Sequence, residues 1–142
     1  MAKDRADDRA AAIFPEHGVR LSAAELDAAA NRAAHAFRSL GLRRGDCVAF
    51  SVGNRPEFLS LMLGAQRSGL YYVLLSTRLS VDDARYIFAD SGAVVAIFDS
   101  TSFAAGEESA LRRIGGRILG IDLPDEVPDW NALAASMPYT LP

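Results

Sequence analysis

An open α/β sheet of mostly parallel strands is the fold class this sequence predicts. Three observations predict it. Helical periodicities alternate with apolar strand runs, the connections between them are short, and the strand runs are nearly unbroken in apolar residues, as suits strands covered on both faces. Helix-to-strand connections this short impose right-handed crossovers and so favour parallel strands.

The elements follow in order. Residues 1–10, crowded with charge from Lys3 to Arg9, are expected to form a disordered tail. Ala11-Ala12-Ile13-Phe14, Pro15-Glu16-His17-Gly18 and Val19-Arg20-Leu21 predict a small hairpin. Ser22-Ala23-Ala24-Glu25 is a capping box, and Leu26, Ala30, Ala33, Phe37 and Leu40 form one helical stripe that Gly41 stops. Cys47-Val48-Ala49-Phe50, behind the polar turn Arg43-Arg44-Gly45-Asp46, predicts a buried strand.

The loop Gly53-Asn54-Arg55-Pro56-Glu57 opens the next helix. Asn54 and Glu57 are expected to cap it reciprocally, and Pro56 costs no hydrogen bond in a first turn whose amides are unpaired. Phe58, Leu61, Met62 and Ala65 make its stripe, Gly69 ends it, and Leu70 to Leu75 predicts a strand covered on both faces. Ser80 with Asp82 and Asp83 starts a third helix, striped by Ala84, Ile87 and Phe88 and ended by Gly92, before the strand Ala93 to Phe98.

Phe103 to Ile114 is expected to be helical, Ile118 to Ile121 a short strand, and Trp130 to Ala135 one or two helical turns. Four of the six prolines are Pro124, Pro128, Pro138 and Pro142, so residues 124–142 read as a connecting segment rather than a core element. The unit expected between tail and connector is residues 11–123.

Composition narrows the function. With 142 residues, 50% hydrophobic and 23% charged, the chain predicts one globular unit able to bury a core. A net charge of -3 and a pI near 5.3 argue against a general nucleic-acid binder; Arg112, Arg113 and Arg117 are the only basic cluster of note. No apolar run approaches the roughly 18 residues of a membrane span, and the charged start does not read as a signal peptide, so a cytoplasmic location is expected. The single cysteine, Cys47, excludes an internal disulfide and reads as a small core residue.

No chemical constellation emerges. His17 and His35 lie in different elements without partners at ligand spacing, so no metal site is expected. The adjacent pairs Asp82-Asp83 and Glu107-Glu108 do not face one another on a helix. Ser51, Ser76 and Ser100 sit at strand ends, but none in a Gly-x-Ser-x-Gly turn. Neither Gly-x-Gly-x-x-Gly nor a P-loop occurs, and Lys3 is the only lysine.

An ordered series of short motifs nevertheless resembles one family. Leu21 to Leu26 with Asn31-Arg32-Ala33-Ala34, then Gly41 to Ala49, Asn54 to Phe58, Gly69 to Val73, Thr77-Arg78-Leu79, Tyr86-Ile87 and Asp90 to Ala93 look like the N-terminal portion of the adenylate-forming (AMP-binding) acyl-CoA synthetases. The stretch Gln66 to Tyr72 resembles the fatty-acyl branch most. Two positions depart, since Leu74 stands where the family commonly has proline and Ser76 where it has asparagine.

The resemblance implies a parent activity in which a carboxylic acid and ATP form an acyl-adenylate and CoA then takes the acyl group. It implies ATP, Mg and CoA for the complete enzyme, and none of them bound by this chain alone. The family's phosphate loop, ribose-binding Asp and catalytic lysine match nothing here. No catalytic, cofactor-binding or metal residue is therefore carried over, and the matched residues Ser22, Glu25, Asn54, Pro56, Glu57, Gly69, Arg78 and Gly92 are structural. The expectation is an N-terminal fragment, inactive alone and prone to self-association through exposed edges. The alternative is a stand-alone, non-catalytic interaction module derived from the same family.

Overall fold

Alternation of helix and strand runs through the structure, a computed structural model that describes residues 10–102, 112–124 and 127–142. The tail expected over residues 1–10 falls outside the described residues except for Ala10, which begins a strand. The helix expected from Phe103, with Glu107-Glu108, lies largely outside them as well; residues 112–114 are helical.

Strands β1 (Ala10–Phe14) and β2 (Val19–Ser22) pair antiparallel around a 3-10 turn, Pro15–His17, that Gly18 closes at φ +63°. Helix α1 (Ala23–Ser39) starts on the capping box: Ser22 Oγ accepts from the Glu25 amide at 3.1 Å, and Glu25 Oε1 from the Ser22 amide at 3.2 Å. There follow β3 (Cys47–Ser51), α2 (Pro56–Arg67), β4 (Tyr71–Leu74), α3 (Val81–Ser91), β5 (Ala93–Asp99), β6 (Arg117–Ile121) and α4 (Trp130–Ala135). Ser80 caps α3 by accepting from the Asp83 amide, and Gly69 and Gly92 stop their helices at φ +69° and +74°.

The main sheet is four-stranded and parallel, in the order β4-β3-β5-β6. Successive side chains of β3 and β5 enter opposite layers, which is why both strands are apolar up to their last residues, Ser51 and Asp99. Val48, Phe50, Val95 and Ile97 face α1, α2 and α4; Ala49, Ala96 and Phe98 face α3. In the first layer Phe37 packs 4.9 Å from Trp130 and 6.2 Å from Phe50, centroid to centroid.

Three expectations are corrected. Asn54 does not cap α2. Proline restricts the residue before it to extended backbone, so Arg55, at φ -145° and ψ 163°, becomes the N-cap and Pro56 the first helical residue. The boundary falls one residue later than the capping reading requires, and Glu57 turns to the Arg55 guanidinium instead of a backbone amide. Strand β4 is not covered on both faces: it is the sheet edge, with Tyr71 and Leu74 71% and 50% exposed. The 124–142 segment is more than a connector, because Trp130 is 1% exposed and closes the first core layer.

Candidate functional site

The strand order reverses between β3 and β5. From β3 the chain leaves through α2 to β4 on one side, then returns through α3 to β5 on the other. In open parallel sheets, ligands bind in the crevice outside the carboxyl ends of the strands that flank such a reversal. Here the crevice lies between the loop 52–55, after β3, and residues 99–102, at the end of β5.

Asp99 fills it. Fully buried, its carboxylate accepts from the Gly53 amide at 2.8 Å, the Thr101 amide at 3.0 Å and the Thr101 hydroxyl at 2.6 Å. A Cβ at Gly53 would lie 2.8 Å from Thr101 Oγ1, so the approach of the two loops requires glycine.

Arg55, also buried, ties this crevice to the rest of the sheet edge. Its Nε donates to Glu57 at 2.8 Å and its Nη2 to Asp122 at 2.6 Å, while Asp99 stands 3.7 Å from Nη1. Burial alone would lower the Arg55 pKa, but the hydrogen bonds to Asp122 and Glu57 outweigh it and leave the pKa raised, so the guanidinium stays charged. Asp122 is held at φ 56°, an uncommon conformation for a side-chain-bearing residue, and Asn131 of α4 donates to Glu57 at 3.3 Å. One cation thus joins the ends of β3, β5 and β6 and the start of α2.

The chemistry of this cluster is that of a clasp. Three carboxylates around one guanidinium leave it net negative, and the Gly53 amide is already bonded, so the cluster repels a phosphate rather than attracting one. Each carboxylate already accepts a hydrogen bond. No group of three or more His, Cys, Asp or Glu among the described residues is placed to hold a metal ion. The buried Ser51 hydroxyl lies 3.1 Å from that of Ser102, a pairing without a base.

Two openings flank the clasp. One of about 380 Å³ lies at the ends of β3 and β4, between Gly53, Asn54, Phe58, Leu75 and Thr77. Another of about 270 Å³ lies among α1, α2 and α4, with Arg32, Glu57, Ser60 and Asn131 in its wall. The Arg32 Nε is buried without an acceptor, its guanidinium 5.9 Å from the centre of the Tyr139 ring.

Of the residues singled out from the sequence, the structure brings Asn54, Pro56 and Glu57 to the crevice and leaves the others elsewhere. Ser22 and Glu25 are at the start of α1, Gly69 and Gly92 end helices, and the Arg78 amide donates to Ser76 Oγ at 3.2 Å in the loop after β4. His17 lies in the hairpin turn, and His35 Nε2 is 3.1 Å from the Thr140 carbonyl oxygen. Arg113 pairs with Asp82. Sequence reasoning missed Arg55, Asp99, Thr101 and Asp122. One signal was available: Asp99, followed by Ser-Thr-Ser, closes an apolar parallel strand at the end where such sheets place their polar groups.

Comparison with protein families matches residues 1–138 to the family described as AMP-binding enzyme. The chain is 35% identical over 118 residues to the long-chain-fatty-acid–CoA ligase FadD13 of Mycobacterium tuberculosis, a match covering 83% of this chain and 22% of that protein. It is 36% identical over 104 residues to long-chain fatty acid transport protein 1 of Homo sapiens, covering 73% of this chain and 16% of that protein. Among solved structures it resembles the inhibitor-bound N-terminal domain of FACL13 from Mycobacterium tuberculosis, with a TM-score of 0.78 and 29% identity over 90% of this chain and 32% of that one. The chain thus spans about a fifth of the length of these curated relatives. No helix among the described residues is long and apolar enough to cross a membrane.

Proposed function

The chain belongs to the AMP-binding enzyme family, and from that premise we propose that it is the N-terminal part of an ATP-dependent acyl-CoA synthetase, inactive by itself. The complete enzyme joins a fatty acid to CoA, with ATP giving AMP and pyrophosphate. The observation that carries this reading is the likeness, in sequence and in fold together, to the N-terminal domain of FACL13, of which the chain spans 32%. Fatty acid as the substrate class rests on the names of the relatives, FadD13 foremost.

Inactivity rests on chemistry. The crevice that open parallel sheets give to ligands is filled by Asp99, its cluster is net negative, and Lys3 is the only lysine. The net charge of these residues does not fit a triphosphate, and no group of three or more carboxylates among the described residues is placed to hold its Mg. The role assigned to the chain is to hold the sheet and its loops in place for chemistry performed by residues outside it. Self-association of the isolated chain through its uncovered sheet edge belongs to the same reading.

A second reading, a stand-alone interaction module, is favoured by one feature. The C-terminal segment folds back on α1, where Asn31 Nδ2 donates to the Tyr139 carbonyl at 3.0 Å, so the described residues close their own core layer. ATP–pyrophosphate exchange tests the first reading. The purified 142-residue chain is expected to give no fatty-acid-dependent exchange, and robust exchange would overturn the assignment of inactivity.

A further inference from the structure

The two edges of the main sheet are treated differently. Along β6, the Gly120 amide donates to the Pro128 carbonyl at 2.8 Å, and Gly120 bridges Asp129 in parallel, so the following chain covers that edge. Among the described residues, strand β4 has a neighbour on one side only, β3. The Tyr71 and Leu75 amides donate inward, to the Asp46 and Phe50 carbonyls at 2.9 and 2.7 Å. Alternation along the strand therefore turns the N–H and C=O groups of Tyr72 and Leu74 outward. Exposed edges are usually blunted by charge, proline or a bulge. The sequence Tyr71-Tyr72-Val73-Leu74 has no charge and no proline, and it pairs with β3 in unbroken register.

We propose that a second copy of this chain pairs antiparallel along β4, about a two-fold axis at Val73. This register engages both outward residues on both copies. Tyr72 lies opposite the partner's Leu74 and Leu74 opposite the partner's Tyr72, each pair exchanging N–H and C=O as in any antiparallel ladder. Leu70, which a register shifted toward the start of the strand would require, has already given its amide to the Ala65 carbonyl.

The pairing also covers apolar surface. Tyr72 stacks on Phe50 at 5.8 Å on the face that α1 and α2 cover, and alternation puts the half-exposed Leu74 on that same face. The two-fold sets Leu74 against the partner's Tyr72 there. Identical strands that carry charge oppose like to like when they self-pair; this one carries none and meets no such repulsion. The contact is short, well under the area of a standard interface, so the association is weak and depends on concentration. This deepens the self-association part of the proposed function and is independent of its chemical part, since cross-linking reads register and pyrophosphate exchange reads chemistry.

Sedimentation of the 142-residue chain over a range of concentrations tests it. A monomer–dimer equilibrium is expected. Leu74→Pro, which removes an outward donor and spares the bonds to β3, should raise the concentration at half-dimerisation by about tenfold or more. Cross-linking then tests the register without relying on that variant. In a Cys47→Ala background, Val73→Cys faces the partner's position 73 as a non-hydrogen-bonded pair with Cα atoms about 4.5 Å apart, within disulfide range, and mild oxidation should give a covalent dimer. Tyr71→Cys in the same background should not. A chain that stays monomeric throughout, leaving the edge to a segment outside these residues, overturns the proposal. So does a dimer indifferent to Leu74→Pro, or cross-linking equally efficient at 71 and 73.

Discussion

Arg55 joins the ends of three strands to the start of a helix. Buried beside Glu57 and Asp99 and paired outward with the exposed Asp122, it holds together loops from three strands, and its removal would leave the buried Asp99 and the largely buried Glu57 without their counter-charge. Breaking a buried ion network from one side costs more than forming it gains, because the abandoned charges stay desolvated. Arg55→Ala is therefore expected to destabilise the chain by about 3 kcal/mol, read as a lower urea midpoint at unchanged slope. Cys47 provides a second handle at this scale. Burial pushes its thiol above the ordinary value, with the Ser91 hydrogen bond pulling the other way. The folded chain thus keeps a proton that the unfolded chain releases above a pH of about 8.5, so this contribution is present below that pH and is lost as pH rises toward the folded pKa. Between pH 8 and pH 10 the wild-type urea midpoint should fall more than that of Cys47→Ala; equal falls would show that the thiol does not titrate differently on folding.

At the scale of elements, the closest packing is between α1 and α2. Gly64 faces α1, and a Cβ there would stand 2.5 Å from the Ala33 Cβ and 3.0 Å from the Ala34 backbone nitrogen. In an exposed helix glycine-to-alanine is favourable by about 1 kcal/mol. Here overpacking reverses the sign, and Gly64→Ala should cost about 1–3 kcal/mol in denaturant unfolding, whereas a stabilised variant would show that the helices separate freely. Elements bounded by their own caps were legible in the sequence to within a residue or two. Ser22 with Glu25, Ser80, Gly69 and Gly92 do in space what their spacing announces, because each acts on neighbours three or four residues away. The start of α2 was misread by one residue for an equally local reason, the constraint proline puts on Arg55. Strand β4 was misread for a non-local one. An unbroken apolar run signals a buried strand, but an edge strand that awaits a partner carries the same signal.

For the molecule as a whole, Trp130 matters most. It arrives after a proline-rich stretch, yet it lies against Phe37 and fills the layer between α1 and the sheet. Trp130→Ala should cost about 3–5 kcal/mol and lower the melting temperature; a change under about 1 kcal/mol would mean that the C-terminal segment is dispensable, as its composition suggested. By itself the sequence determined the alternation of helix and strand, the parallel sheet, the helix ends other than the start of α2, and the kinship to AMP-binding enzymes, all of which rest on periodicity, capping and ordered local motifs. Only the tertiary structure decided that Asp99 occupies the crevice, that Arg55 reaches Asp122 across 67 residues of chain, that Trp130 belongs to the core and that β4 is an edge. The physical reason is range: caps and periodicities act over one or two turns, whereas the placement of a buried charge or an edge depends on which distant segments the sheet order brings together.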